Sequence, residues 1–143
     1  MTKKIYDEYD ELFSDLEEEL STSMLTSVDK AVKKVYKRNV EKMYDSYNPT
    51  YYQRRMESGG FGDEDNLESI VDCMGDTFEY VMTNETKPAY DANYRLDEII
   101  ESGEGYTWKR HPKARPVYEK TQDELDTSNE IENAIYKDLK DWF

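Results

Sequence analysis

Cysteine is nearly absent from this chain. Cys73 stands alone among 143 residues, so no internal disulfide can form and no pair of thiolates is available to hold zinc. An intracellular, reducing setting fits that usage. Histidine is equally scarce: His111 is the only one, in a basic stretch beside Pro112, and no Ser or Cys nucleophile motif surrounds it. Long hydrophobic runs are missing as well. Nothing approaches the about 18 consecutive apolar residues of a membrane span, and the N-terminal "MTKKIYDEYDELF" has two lysines but no apolar leader core. The expectation is a soluble, unprocessed chain with no membrane role. Positive charge is also in short supply, with 19 Lys+Arg against 33 Asp+Glu and a net charge of −14 with His neutral. That balance speaks against a broad basic surface that would grip a nucleic-acid backbone.

What the chain does have is tyrosine. Apolar residues make up 36 % of the sequence and aromatics 13 %, thirteen of them Tyr. A core built from such a set leans on rings that bury a face and keep a hydroxyl wet, which also suits interfaces. The length fits one domain.

The periodicity reads as α+β: a long N-terminal helical region, a small antiparallel sheet and C-terminal helices. Ile5, Tyr9, Leu12, Leu16 and Leu20, then Met24, Val28, Ala31 and Val35, advance in steps of three and four and draw one stripe on a helix. "STS" at 21–23 is the local interruption, which leaves one long bent helix or two helices open. Charge is polarised along this region. Eight acids and no base lie between Asp7 and Glu19, whereas Lys30, Lys33, Lys34, Lys37, Arg38 and Lys42 dominate the next segment. "SYNPTYYQRRMESGGFGDEDN" ends the helix at Pro49 and a glycine-rich loop. "NLESIVDCM" places Leu67, Ile70, Val71 and Met74 at helical spacing, and "DTFEYVMTNET" alternates as a half-buried strand with Phe78, Tyr80 and Met82 on one side. "KPAYDANYR" reads as a loop, and "LDEIIES" as a helical turn or a strand. Pro116 suits the first position of a helix carrying Val117, Tyr118, Thr121 and Leu125. "TSNE" at 127–130 reads as a capping box that opens a last helix with Ile131, Ile135, Leu139 and Trp142 on one face.

Catalytic and metal-binding motifs do not emerge. "GGFGDEDN" lacks the Gly-Lys-Ser/Thr of a phosphate loop, and Asp63, Asp65 and Glu68 depart from a calcium loop, because Leu67 and Glu68 occupy its fifth and sixth positions. Cys73, on a short apolar segment, reads as a small buried hydrophobe. Carboxylates are so abundant that no pair stands out as acid and base. The sequence predicts no enzyme, no cofactor and no metal.

The most distinctive stretch is "LDEIIESGEGYTWKRHPKARPVYEK", residues 96–120. It follows a helical arm, the loop "NPTYYQRRMESGGFGDEDNLESI" and a strand. This order of signals resembles the small tail-completion, or head–tail joining, proteins of long-tailed bacteriophages. The Glu-x-Gly turn of that family is matched by Glu101, Ser102 and Gly103. Its Ala-Arg-Pro approach to the C-terminal helix is matched by Ala114, Arg115 and Pro116, with Val117 where Phe is more usual. The resemblance covers roughly residues 25 to 143, and residues 1–24 stand outside it as an acidic N-terminal helical extension.

That resemblance implies a virion structural protein. It would form a ring, hexameric by the same resemblance, at the head-proximal end of the tail, and would meet tail-tube and head-connector proteins. Its places would be the virion and, during assembly, the host cytoplasm. DNA would pass through the ring without specific binding, and acidic lining would keep the duplex from sticking. Tyr106, Trp108, Lys109, Arg110, Lys113 and Arg115 are the expected assembly surface, their basic groups facing acids on the next subunit. Equally, Tyr106 and Trp108 would fill the domain's own core. A different class of function also suits the charge: an acidic phage-encoded inhibitor that mimics DNA and blocks a host nucleic-acid-binding defence protein. Asp7, Asp10, Glu11, Asp15, Glu18 and Glu19 would then be its phosphate-like row.

Overall fold

The computed structural model describes residues 9–45, 60–74, 77–87, 95–104 and 113–142 and shows the α+β architecture expected from the sequence. Helix α1 (Tyr9–Ser23) passes into a π-helical segment, Met24–Val28, and on into α2 (Asp29–Asp45). A short 3₁₀ turn, Glu64–Asn66, leads into strand β1 (Leu67–Met74), which pairs antiparallel with β2 (Thr77–Asn84). Helices α3 (Leu96–Ser102), α4 (Val117–Thr127) and α5 (Glu130–Leu139) follow, with a closing 3₁₀ turn at Lys140–Trp142.

Of the two forms left open by "STS", the helical region takes that of one long helix, with α1, the π-helical segment and α2 following one another without a break. Residues 21–23 remain helical, and the irregularity falls just after them, where the Asp29 N–H reaches the Met24 carbonyl five residues back. The hydroxyls of this stretch fold back on the helix: Thr22 donates to the Glu18 carbonyl at 2.9 Å and Thr26 to the Thr22 carbonyl at 2.7 Å. Such back-bonding loosens the regular ladder and favours a wider turn.

Residues 67–74 correct the helical reading of "NLESIVDCM". Leu67, Ser69 and Val71 face inward while Glu68, Ile70 and Asp72 are exposed, an alternation of period two. Four apolar residues at helical spacing gave the wrong period, because Ile70 points outward beside Val81, its exposed cross-strand partner. Strand pairing from Leu67↔Asn84 to Met74↔Thr77 settles the segment. The β2 reading stands: Phe78, Tyr80 and Met82 are half-buried, with exposed Thr77, Glu79 and Val81 alternating between them.

The capping box at 127–130 is not formed. The break between helices is there, but Thr127 Oγ1 donates back to the carbonyls of Asp123 and Glu124 at 3.0 and 3.3 Å, and Asn129 precedes α5 without a side-chain cap. Pro116 stands one position ahead of α4 rather than within it, with ψ at 78°. "LDEIIES" resolves as a helix, and the "KPAYDANYR" loop lies almost wholly outside the described residues.

Helix α2 runs through both parts of the core. Its C-terminal half, with Tyr36, Val40 and Met43, meets Phe61, Leu67, Ile100 and Val117. Its N-terminal half, with Val32 and Val35, joins Met24, Val28 and Leu125, and the hairpin's inner residues Val71, Phe78 and Tyr80 and α5's Ile131 and Ile135 pack on that cluster. Met82 touches both clusters.

Candidate assembly site

The two pieces of sequence that stood a dozen residues apart, Glu101-Ser102-Gly103 and Ala114-Arg115-Pro116, meet as one clasp. Gly103 ends α3 in the left-handed conformation, φ 73°, and its N–H closes on the Ile99 carbonyl at 2.8 Å. Only glycine adopts this geometry freely. It also permits a close approach, since a Cβ there would lie 2.4 Å from the Ala114 backbone nitrogen. One residue on, the Arg115 N–H donates to the Ile100 carbonyl at 2.8 Å. Glu101 then caps the next helix from outside it: its carboxylate accepts from the N–H groups of Tyr118 at 2.8 Å and Glu119 at 3.1 Å. An acid at a helix N-terminus satisfies orphan donors and complements the dipole. The clasp thus joins the end of α3 to the start of α4 and closes the base of the intervening segment.

Beneath the clasp lies a buried polar chain that ties four elements together. Asn84, fully buried at the end of β2, donates through Nδ2 to Tyr36 Oη on α2 at 3.0 Å and to the Phe61 carbonyl at 2.9 Å. Its Oδ1 accepts from the Thr86 N–H at 3.0 Å. The Asn84 N–H donates to Tyr118 Oη on α4 at 2.7 Å, and that hydroxyl donates in turn to Asp97 Oδ2 on α3 at 2.7 Å. Arg95 grips the Asp97 carboxylate with two N–H groups, at 3.1 and 2.8 Å. Burial, together with the neighbouring carboxylate, pushes the Tyr118 phenol well above its usual value, and burial does the same to Tyr36. Both hydroxyls therefore stay protonated: Tyr118 Oη donates to Asp97, and Tyr36 Oη accepts from Asn84.

The expected surface residues fall unevenly on this frame. Tyr106, Trp108, Lys109 and Arg110 lie outside the described residues, as does His111. Lys113 and Arg115 flank Ala114 in the clasp, Lys113 exposed and Arg115 half-buried. Asp63 accepts from the Asp65 N–H at 3.0 Å and so caps the 3₁₀ turn, and among the described residues no group of three ligating side chains is placed to hold a metal ion.

With this geometry in hand, comparison with known proteins gives a family. A family model described as YomN matches residues 5–141. The chain belongs to the YomN family. No curated protein and no solved structure matches it. The match runs through α1 as well as through the helices that follow the clasp, so clasp and arm both lie within the YomN match.

Where the arm joins the YomN body, Asp29 binds the hairpin. Its Oδ1 accepts from the hydroxyls of Ser69 and Tyr80, the latter at 2.6 Å, while Oδ2 pairs with Lys33 at 2.9 Å. Burial alone would raise the Asp29 pKa, but the two hydroxyls and the ammonium outweigh it and hold the carboxyl below its usual range. A cavity of about 310 Å³ opens beside this junction, lined by Met24, Val28, Val32, Met82, Leu125 and Ile135 among others. Beyond it the arm carries Asp10, Glu11, Glu17 and Glu18, all exposed, and its Tyr9 and Phe13 are 78 % and 56 % exposed.

Sequence reading found the clasp residues but not the network. Asn84, Asp97 and Tyr118 carry no motif, and Asn84 between Thr83 and Glu85, like Asp97 between Leu96 and Glu98, gives no local sign of needing buried partners.

Proposed function

We propose that this YomN-family chain is a phage structural protein that assembles as a ring at the head-proximal end of the tail and completes the tail for docking to the head. It acts by self-assembly and by contact with tail-tube and head-connector proteins. The observation that carries this reading is the clasp. Glu101, Gly103, Ala114 and Arg115, which bear the resemblance to tail-completion proteins, form a single contact at the base of the segment holding Tyr106, Trp108, Lys109 and Arg110. A rigid base of this kind is what an assembly segment needs, since order established before binding lowers the entropy lost on binding.

The acidic-inhibitor reading has one observation in its favour. Asp10 and Glu11 recur as Glu17 and Glu18 two turns later, about 10 Å along the helix, and all four face solvent. Peptide mass spectrometry of purified, nuclease-treated virions separates the two functions. A small fixed copy number per particle supports the ring. Absence from virions, with abundance in infected cells, overturns it in favour of the inhibitor.

A further inference from the structure

The apolar stripe of α1 extends further than the core that would cover it. Leu20 packs on the second core cluster, and of the α1 side chains Ser23 alone is buried. Tyr9 and Phe13 continue the stripe toward the N-terminus but are exposed, their rings stacked on each other with centroids 6.3 Å apart. Glu17 completes this row at the same four-residue spacing, and Asp10 flanks it. Aromatic rings left open to water and ringed by acids form a surface in want of a cationic, amphipathic partner.

Such a surface exists on the same chain. Helix α2 buries the face bearing Val32, Val35, Tyr36 and Val40, which turns Lys30 and Lys34 to solvent on the opposite side. Neither lysine makes an ion pair among the described residues, unlike Lys33 with Asp29 and Arg38 with Glu124. Lysine stems cover aromatic faces while the ammonium groups reach carboxylates, so one row can satisfy both halves of the other. Within one chain the two rows cannot meet, because α1 and α2 follow each other along a continuous helical stretch. Pairing α1 with a second α1 sets six acids against six, with no base on either helix.

We infer that the Tyr9–Phe13–Glu17 row of one copy docks on the Lys30–Lys34 row of a second copy, a heterologous contact that repeats head to tail from subunit to subunit. This inference rests on the ring reading for its role, but the contact itself is tested separately.

The test uses the full chain at about 1 mM in low salt, a concentration that populates even weak self-association. Equal parts of ¹⁵N-labelled and unlabelled protein are coupled with a carbodiimide, which joins carboxylates to lysines in contact, and the cross-links are read by mass spectrometry. Mixed-isotope links from Asp10 or Glu17 to Lys30 or Lys34 are expected, along with association that weakens about tenfold or more at high salt. Lys30→Glu with Lys34→Glu should abolish association, and so should Asp10→Lys with Glu17→Lys. Mixing the two reversed proteins should restore it. All four positions are exposed, so both variants should fold, which circular dichroism verifies.

A chain that stays monomeric at that concentration, or mixed links that avoid α1 and α2, overturns the inference. Virions that contain the chain at ring-like copy number but give no such links remove this contact and leave the ring. Restored association between the reversed proteins, with the chain absent from virions, removes the ring and leaves the contact.

Discussion

The continuous helical stretch from Tyr9 to Asp45 is built on two different terms. Over α2 six side chains are buried, among them Tyr36 and Asn39, whereas over α1 Ser23 is the only one. Helix α2 spends its polar groups inside the molecule: Tyr36 binds Asn84, and Asn39 donates to the Val35 carbonyl at 3.0 Å and to Glu124 of α4 at 3.2 Å. Helix α1 keeps its acids and two aromatic rings outside. The same periodic stripe therefore serves two purposes. Where it is covered it specifies the fold, and where it runs past its cover it is available to a neighbour.

The sharpest way to break this contrast is to strike the covered end. Asn84→Leu removes the donor to Tyr36 and to the Phe61 carbonyl and the acceptor for the Thr86 N–H, all in a buried site. We expect a loss of about 4 kcal/mol in urea unfolding, because several buried groups lose partners at once. Next comes the clasp. Gly103→Ala forces a left-handed alanine whose Cβ meets the Ala114 nitrogen at 2.4 Å, and about 3 kcal/mol should be lost. Amide exchange should rise first at the start of α4, whose N–H groups Glu101 caps.

At the junction the effect is smaller and depends on pH. The Asp29 pKa is depressed in the folded protein, so its contribution is present above the carboxyl's ordinary value, about 4, and is lost as pH falls through the lower folded value. Asp29→Asn should cost about 1 kcal/mol at neutral pH, after allowing for the water that reaches the site, and the gap to wild type should close in acid. Chemical unfolding at neutral pH and at several acidic values checks both statements. The smallest effect belongs to the arm. Tyr9→Ser with Phe13→Ser should change stability by less than about 0.5 kcal/mol, since neither ring is buried, while weakening self-association. A large loss of stability in that variant would erase the distinction between the two ends.

The sequence conveyed periodic elements well and contacts between elements poorly. The stripe from Tyr9 to Val35, the alternation of β2 and the spacing of Val117, Thr121 and Leu125 are local patterns, and each proved structural. β1 was misread because Leu67, Ile70, Val71 and Met74 fit a helical spacing, and only pairing with β2 decides otherwise. The capping box failed for a similar reason, since Thr127 had a nearer use in the last turn of α4. Of the site, Glu101, Gly103 and Ala114–Pro116 were legible as a motif. That Glu101 caps another helix 17 residues away, or that Asn84 reaches Tyr36 48 residues away, is information held in the fold, not in any window of sequence.

The π-helical segment Met24–Val28 acts on the arm as a phase shifter. A turn widened by one residue advances everything before it by about 100° relative to an unbroken α-helix. The azimuth at which Tyr9 and Phe13 leave the body is therefore written in five residues that touch neither of them. Deleting one residue there would swing the whole arm to a new bearing while its composition and charge stay almost the same.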